Sequence, residues 1–167
     1  MPKSDQGIEE KRYHFVPRTL IFLFDGKNRV LLLRGAEDKR LWAGLHNGIG
    51  GHVERGEDIY DAAYRELQEE TGIVDAKLSY CGQISVDVSD DVGVAIYVFK
   101  GIYKSSEFTN SHEGTLSWVS LDDVGSTPLV EDLTKLIPLV AAHQPSDPII
   151  IGKYKYGRDG CIETSFR

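Results

Sequence analysis

Apolar and polar positions change period several times along this chain, and each change marks an element. TLIFLF (19–24) and RVLLLR (29–34) flank DGKN, a glycine-containing turn, and predict a β-hairpin. Between Leu78 and Val88, residues Leu78, Tyr80, Ile84, Val86 and Val88 take even positions, with Ser79, Gln83, Ser85 and Asp87 between them. Such alternation predicts a half-buried strand. GVAIYVFKGIY (93–103) is apolar at both parities and rich in β-formers, which predicts a central strand covered on both faces. TLSWVS (115–120) predicts another short strand, and PIIIGKYKY and CIETSF a closing hairpin whose turn uses Gly157, Asp159 and Gly160.

Two stretches carry a helical period. Over Leu129–His143, apolar Leu129, Leu133, Leu136, Ile137 and Val140 are spaced three and four apart, with Pro138 expected to kink or end the helix. Over Asp58–Glu70, Ile59, Ala62, Ala63 and Leu67 form the stripe, and Gly72 is placed for a left-handed cap. Residues 1–15 are polar and aperiodic and read as a loose tail, leaving 16–167 as a single domain. The expected class is α/β (α+β), a mixed sheet with two helices in two or three layers.

Composition narrows the function classes. The 167 residues are 41% hydrophobic and 27% charged, a globular profile, and no apolar run approaches the roughly 18 residues of a membrane span. The start of the chain has no apolar core behind its charges, so a cytoplasmic protein is expected. A formal charge of −7 argues against a nucleic-acid polymer as partner, so an anionic ligand would need a bound cation. Cys81 and Cys161 lack metal-site or disulfide spacing and read as buried or half-buried thiols.

The acidic residues of the second helical stretch raise a physical problem. Glu66, Glu69 and Glu70 share a helix face near the negative end of its dipole, where each like-charge pair costs about 0.2–0.5 kcal/mol. Two readings fit: a solvated acidic face, or a cradle for a hard divalent ion such as Mg²⁺ or Mn²⁺. A solvated face normally interleaves Lys, but Arg65 is the cation here. Binding an ion at a hundred times its dissociation constant would stabilise the fold by about 2.7 kcal/mol, more than the repulsion. Gly48, Gly50, Gly51 and Gly56 just upstream allow close backbone approach to a ligand.

Gly51, Glu57 and the run Arg65-Glu66-Leu67-Gln68-Glu69-Glu70-Thr71-Gly72-Ile73 reproduce, over 23 residues, the spacing of the signature of the Nudix hydrolases. The resemblance implies a Nudix fold, a mixed β-sheet sandwiched between helices. It implies Glu66, Glu69, Glu70 and the Gly50 carbonyl as metal ligands, with Arg65 and Glu57 paired to orient them. It also implies a reaction: water attacks phosphorus in a nucleoside diphosphate linked to another group, with Mg²⁺ or Mn²⁺ and no covalent intermediate. HEGTLSWVSLDDV resembles a later segment that supplies a catalytic Glu, which singles out Glu113, also as a metal ligand; a surface acid, Glu54 and Asp58 are the alternatives.

LWAGLHNGIGGHVERGE and GKYKYGRDGCIETSF further resemble the 8-oxo-dGTP diphosphatase group. That resemblance implies Asn47 at the purine edge and Glu131 and Asp132 at the oxidised base. The acids are offset by one residue, and Leu129 and Val130 stand where a Trp is expected. Asn47 also fits a turn role, Trp42 either core or stacking platform, and His46 and His52 packing roles. Gly51 is a further substrate contact, and Arg34, Lys39 and Arg40 are either phosphate contacts or solvated, with Arg34 preferred. The expected function is Mg²⁺-dependent cleavage of a nucleoside triphosphate, such as 8-oxo-dGTP, to monophosphate and pyrophosphate, by a monomer or homodimer. The alternatives are a Nudix hydrolase of ADP-ribose, a dinucleotide or a nucleotide sugar, and a non-catalytic nucleotide sensor.

Overall fold

The computed structural model describes residues 2, 6–7, 12–37, 42–105, 107–157 and 159–167, so Lys39 and Arg40 lie outside the described residues. Continuous apolar runs on both strands of the first hairpin give β1 (His14–Phe24) and β2 (Arg29–Gly35). A mixed sheet is completed by β3 (His46–Asn47), β4 (Lys77–Asp87), β5 (Val92–Ile102), β6 (Gly114–Ser120), β7 (Ile150–Tyr156) and β8 (Ile162–Phe166). Its order is β3-β2-β1-β5-β4-β7-β8, with β6 pairing separately with β2. β1–β5 and β4–β7 are parallel, and the other pairings are antiparallel.

The two parities of β1 build two cores. Leu20, Phe22 and Phe24 face one side with Leu133, Leu136, Ile137 and Val140 of helix α2 (Leu133–Ala142). Ile21 and Leu23 face the other with Ala63 and Leu67 of helix α1 (Ile59–Thr71). The sheet therefore lies between helices, as expected, and β5 is covered on both faces, as apolar residues at both parities require.

Helix α1 has both termini closed. The Asp58 carboxylate accepts from the Tyr60 and Asp61 amides at 2.7 and 3.0 Å, and Asp61 accepts from the Asp58 amide at 3.3 Å. Gly72, at φ 73°, donates its N–H to the Gln68 carbonyl. Helix α2 begins later than the period predicts, at Leu133. Leu129 and Val130 are instead extended against His46, whose carbonyl accepts from the Val130 amide at 3.1 Å. Nor does Pro138 end α2, which continues to Ala142. The hydrogen bond it forgoes is to the Thr134 carbonyl on the solvent side, where water can serve.

Two further expectations are corrected. Cys161 is exposed, whereas Cys81 is buried and burial pushes its thiol pKa up. The even positions of β4 do not share one face: a bulge between Tyr80 and Gly82 sends Leu78 and Tyr80 to the α1 side but Cys81, Ile84 and Val86 to the α2 side.

The feature that makes room for a site is the divergence of β1 from β2, which pair only at Leu23–Leu31 and Phe24–Val30. Beyond that point the glycine loop takes the place beside β1. Ile21 exchanges backbone bonds with Ile49, Thr19 donates to the Gly51 carbonyl at 2.8 Å, and Val53 donates to Pro17 at 3.1 Å. Gly50 is at φ 144°, and a β-carbon there would lie 2.3 Å from the Thr19 carbonyl oxygen, so glycine is needed. Among the described residues no helix is long and apolar enough to cross a membrane.

The bulge gives a test of the sheet. A β-carbon on Gly82 would sit 2.2 Å from the Ile150 carbonyl oxygen, on the neighbouring strand. Gly82→Ala should lower stability in urea unfolding by about 1–3 kcal/mol, and an unchanged midpoint would contradict the β4–β7 register.

Candidate active site

A cleft of about 730 Å³ opens where the glycine loop, β1, α1 and the start of α2 meet. One half is apolar, with Leu20, Ile96, Val130 and Leu133, and Trp42 at its edge; the other carries Glu54, Glu66, Glu70 and Glu113 beside Gly50, Gly51 and His52. A smaller hollow near Tyr13 and Asp87 holds none of the signature residues.

The acidic half is organised around one guanidinium. Arg65 Nε and Nη2 donate to the two carboxylate oxygens of Glu57 at 2.6 and 3.0 Å. Nη1 donates to Glu66 at 2.8 Å and Glu69 at 3.1 Å, and Nη2 also to the His52 carbonyl at 2.9 Å. The Glu57 bonds come first among the causes that hold the Arg65 pKa above its ordinary value, and the same pairing lowers the Glu57 carboxyl. Glu57 also accepts from the Glu54 amide at 2.9 Å, which ties the loop to the helix. The signature therefore has a structural content: one planar donor fork gathers acids that would otherwise repel.

Glu66 packs under the loop, where a β-carbon on Gly51 would meet its carboxylate oxygen at 2.4 Å. Glu70 is buried and accepts from the Gly50 amide at 3.3 Å. Glu69 points away from the cleft lining, with its side chain 61% exposed against 14% for Glu66. Among the described residues no three His, Cys, Asp or Glu side chains converge into a ready cation site, and Glu66 and Glu69 are instead drawn onto Arg65. The donor set nevertheless fits a hard divalent ion: carboxylates and a loop carbonyl, all oxygen, on adjacent turns of one helix.

The apolar half is set by β3. His46 donates its amide to the Pro128 carbonyl at 2.8 Å, and its Nδ1 lies 3.0 Å from the same oxygen. This stitching brings the segment before α2 alongside Asn47, so Asn47 and Asp132 line one cleft. Asn47 Oδ1 accepts from the Gly48 amide at 2.8 Å, combining a turn role with a place in the cleft. Asp132 occupies the N-terminal cap position of α2 without a capping bond, and burial raises its carboxyl pKa. Tyr154 is wholly buried nearby. Its hydroxyl lacks a hydrogen bond of ordinary geometry among the described residues, and burial, then Asp132, raise its pKa.

Other sequence candidates lie elsewhere. Arg34 pairs with Glu37 at 2.6 Å and donates to the Gly44 carbonyl, outside the cleft lining, because its strand turns it toward the following loop. Glu131 is exposed, one residue before the acid that enters the cleft. Glu113 enters from the loop before β6, with His112 Nε2 3.1 Å from its carboxylate. Trp42 is 44% exposed at φ 59°, not core. Arg18 and Thr19 line the cleft but carry no motif; only Arg18's place in the apolar row of β1 marks it in the sequence.

The Arg65–Glu57 pair predicts a pH signature. Because the folded Glu57 pKa is lowered, its contribution to stability is present above the unfolded value and lost as pH falls through the folded one. Glu57→Gln should lower the melting temperature near neutral pH, with the difference shrinking in acid. A difference constant with pH, followed by calorimetry, would contradict the pairing.

Comparison with known proteins agrees with this geometry. A family model described as NUDIX domain matches residues 14–140. The oxidized purine nucleoside triphosphate hydrolase of Mus musculus is 34% identical over 113 residues, covering 67% of this chain and 71% of that protein. Its namesake from Danio rerio is 29% identical over 137 residues, covering 81% and 84%. Among solved structures, the MutT protein from Bacillus halodurans matches with a TM-score of 0.72 at 27% identity, covering 92% of this chain and 97% of that one. Signature, fold and family match agree, and the chain belongs to the Nudix family as a pyrophosphohydrolase.

Proposed function

We propose that this Nudix hydrolase cleaves oxidised purine nucleoside triphosphates such as 8-oxo-dGTP to the monophosphate and pyrophosphate, using Mg²⁺, with Mn²⁺ as a substitute, and residues 16–167 acting as one domain. The observation that supports it most is the two-part cleft. Asn47 and Asp132 offer hydrogen-bonding groups among apolar walls, and an acidic, glycine-lined half adjoins them. The names of the Mus musculus and Danio rerio relatives point the same way.

In this reading Glu66, Glu69, Glu70 and the Gly50 carbonyl hold the divalent ions that Nudix hydrolases generally use. Bound there, such ions would neutralise the polyphosphate and lower the pKa of water. The chain's own groups do the rest. Leu20, Ile96, Val130 and Leu133 exclude water from the base, and Trp42 offers a ring at the rim. Asn47 keeps its Nδ2 donor for the purine edge because its Oδ1 is held by the Gly48 amide. Asp132, not Glu131, meets the base. Glu113 takes the proton from the attacking water, and Arg65 with Glu57 positions the acidic face. Attack in line leaves pyrophosphate or a phosphate ester without a covalent enzyme intermediate.

The test is a panel of oxidised and ordinary purine triphosphates, ADP-ribose, a dinucleotide and a nucleotide sugar, in oxygen-18 water with phosphorus NMR of the products. The expected result is fastest turnover of an oxidised purine triphosphate, with pyrophosphate as a product; preference for ADP-ribose would contradict the substrate assignment. Glu69→Gln and Glu70→Gln should each lower kcat by about a hundredfold or more while remaining folded, and turnover within threefold of the parent would count against the metal assignment.

A further inference from the structure

Arg18 is a charge in an apolar row. Apart from His14 at the start of β1, the other residues of the strand on its face, Val16, Leu20, Phe22 and Phe24, are apolar, and Leu20, Phe22 and Phe24 enter the core beneath α2. Arg18 is half-buried, opposite Ile96 of β5 in the strand register, and lines the cleft. An arginine's aliphatic stem packs well beside Ile96, whereas its charged head is costly to desolvate without a partner, so a charge at this point of the row calls for a function or a partner.

Its partner is not an acid. Five carboxylates line the same cleft, yet among the described residues the one side-chain hydrogen bond of Arg18 runs from Nε to His52 Nε2 at 3.2 Å. That bond fixes the plane of the guanidinium, and the backbone repeats the restraint: Arg18 bridges His52, and Thr19 donates to Gly51. The two terminal nitrogens are left as a fork of donors. Arg18 is also the one Lys or Arg among the lining residues described, located where the apolar half meets the glycine loop. A planar, oriented donor fork at that junction matches two oxygens of a phosphate.

We propose that Arg18 binds the phosphate adjacent to the nucleoside, the group that stays with the monophosphate product, while the acids of α1 serve the rest of the polyphosphate. This rests on the reading of the cleft as a nucleotide site. It makes Arg18 a substrate-binding residue that distinguishes a nucleotide from its nucleoside, a discrimination that the acidic half alone would oppose by repulsion.

The test compares dissociation constants of 8-oxo-dGMP and 8-oxo-deoxyguanosine for the parent, Arg18→Gln and Arg18→Lys, by calorimetry at fixed Mg²⁺. Arg18→Gln should weaken the monophosphate roughly tenfold or more and leave the nucleoside within about twofold. Arg18→Lys should recover part of the loss, because it restores charge without the fork, and it carries the test if Arg18→Gln does not fold. Equal losses for both ligands would make Arg18 merely structural, and an unaffected monophosphate would remove it from the phosphate site; either overturns the proposal. AMP and adenosine are measured in parallel. If the parent binds that pair instead, the oxidised-base reading fails by itself, and Arg18 stands or falls on whether AMP alone is weakened; a parent that binds neither monophosphate overturns both.

Discussion

The arrangement depends on a single guanidinium. Arg65 is clamped by both oxygens of Glu57, and with its remaining donors it reaches Glu66, Glu69 and the carbonyl of His52. Exposed ion pairs contribute little singly, but this one is partly buried, bidentate and shared among a loop and two turns of helix. It supplies the positive charge that lets Glu66 and Glu69 remain on the C-terminal half of α1, against the helix dipole, while Glu70 accepts from the Gly50 amide. A divalent ion would compete for Glu66 and Glu69, so the same carboxylates are structural partners of Arg65 and candidate metal ligands. That dual use accounts for their drawn-in positions.

The second constraint is the parting of β1 from β2. Paired along their full length, the two strands would leave the glycine loop no edge to join. Because they separate on the N-terminal side of Leu23, the loop bonds along β1 and presents its amides and carbonyls to α1. The same gap exposes the even face of β1 toward the start of α2. The apolar and acidic parts of the cleft thus adjoin beside one strand, and Arg18 lines both.

Much of this is legible in the chain. Helix α1 could be bounded closely because Asp58, the apolar stripe and Gly72 agree, and the acidic residues fall at fixed helical spacings. The hairpins and β5 follow from periods that local sequence expresses. What escaped depends on distant partners. The bulge at Tyr80–Gly82 preserves an apparent even alternation while switching faces, and only the pairing with β5 reveals it. Leu129 and Val130 continue the helical spacing of α2 but are held extended by β3. Arg34 lies near the loop in sequence, yet Glu37 and Gly44 hold it outside the cleft, whereas Arg18, about thirty residues upstream of the loop, enters it. In the site, the shared face of Glu66, Glu69 and Glu70 is readable from spacing and the Arg65–Glu57 pair from the family resemblance; that Asp132 rather than Glu131 enters the cleft required the stitching of His46 to Pro128.

On this reading, divalent ions bind at the face gathered by Arg65. Titrating the protein with Mn²⁺ and following its backbone amide NMR signals tests this directly, since the paramagnetic ion broadens only its neighbourhood. The expected result is early, selective loss of the signals of Gly50, Gly51 and Glu66 to Glu70, reversed by excess Mg²⁺. Broadening centred elsewhere, or none at these residues, would contradict it.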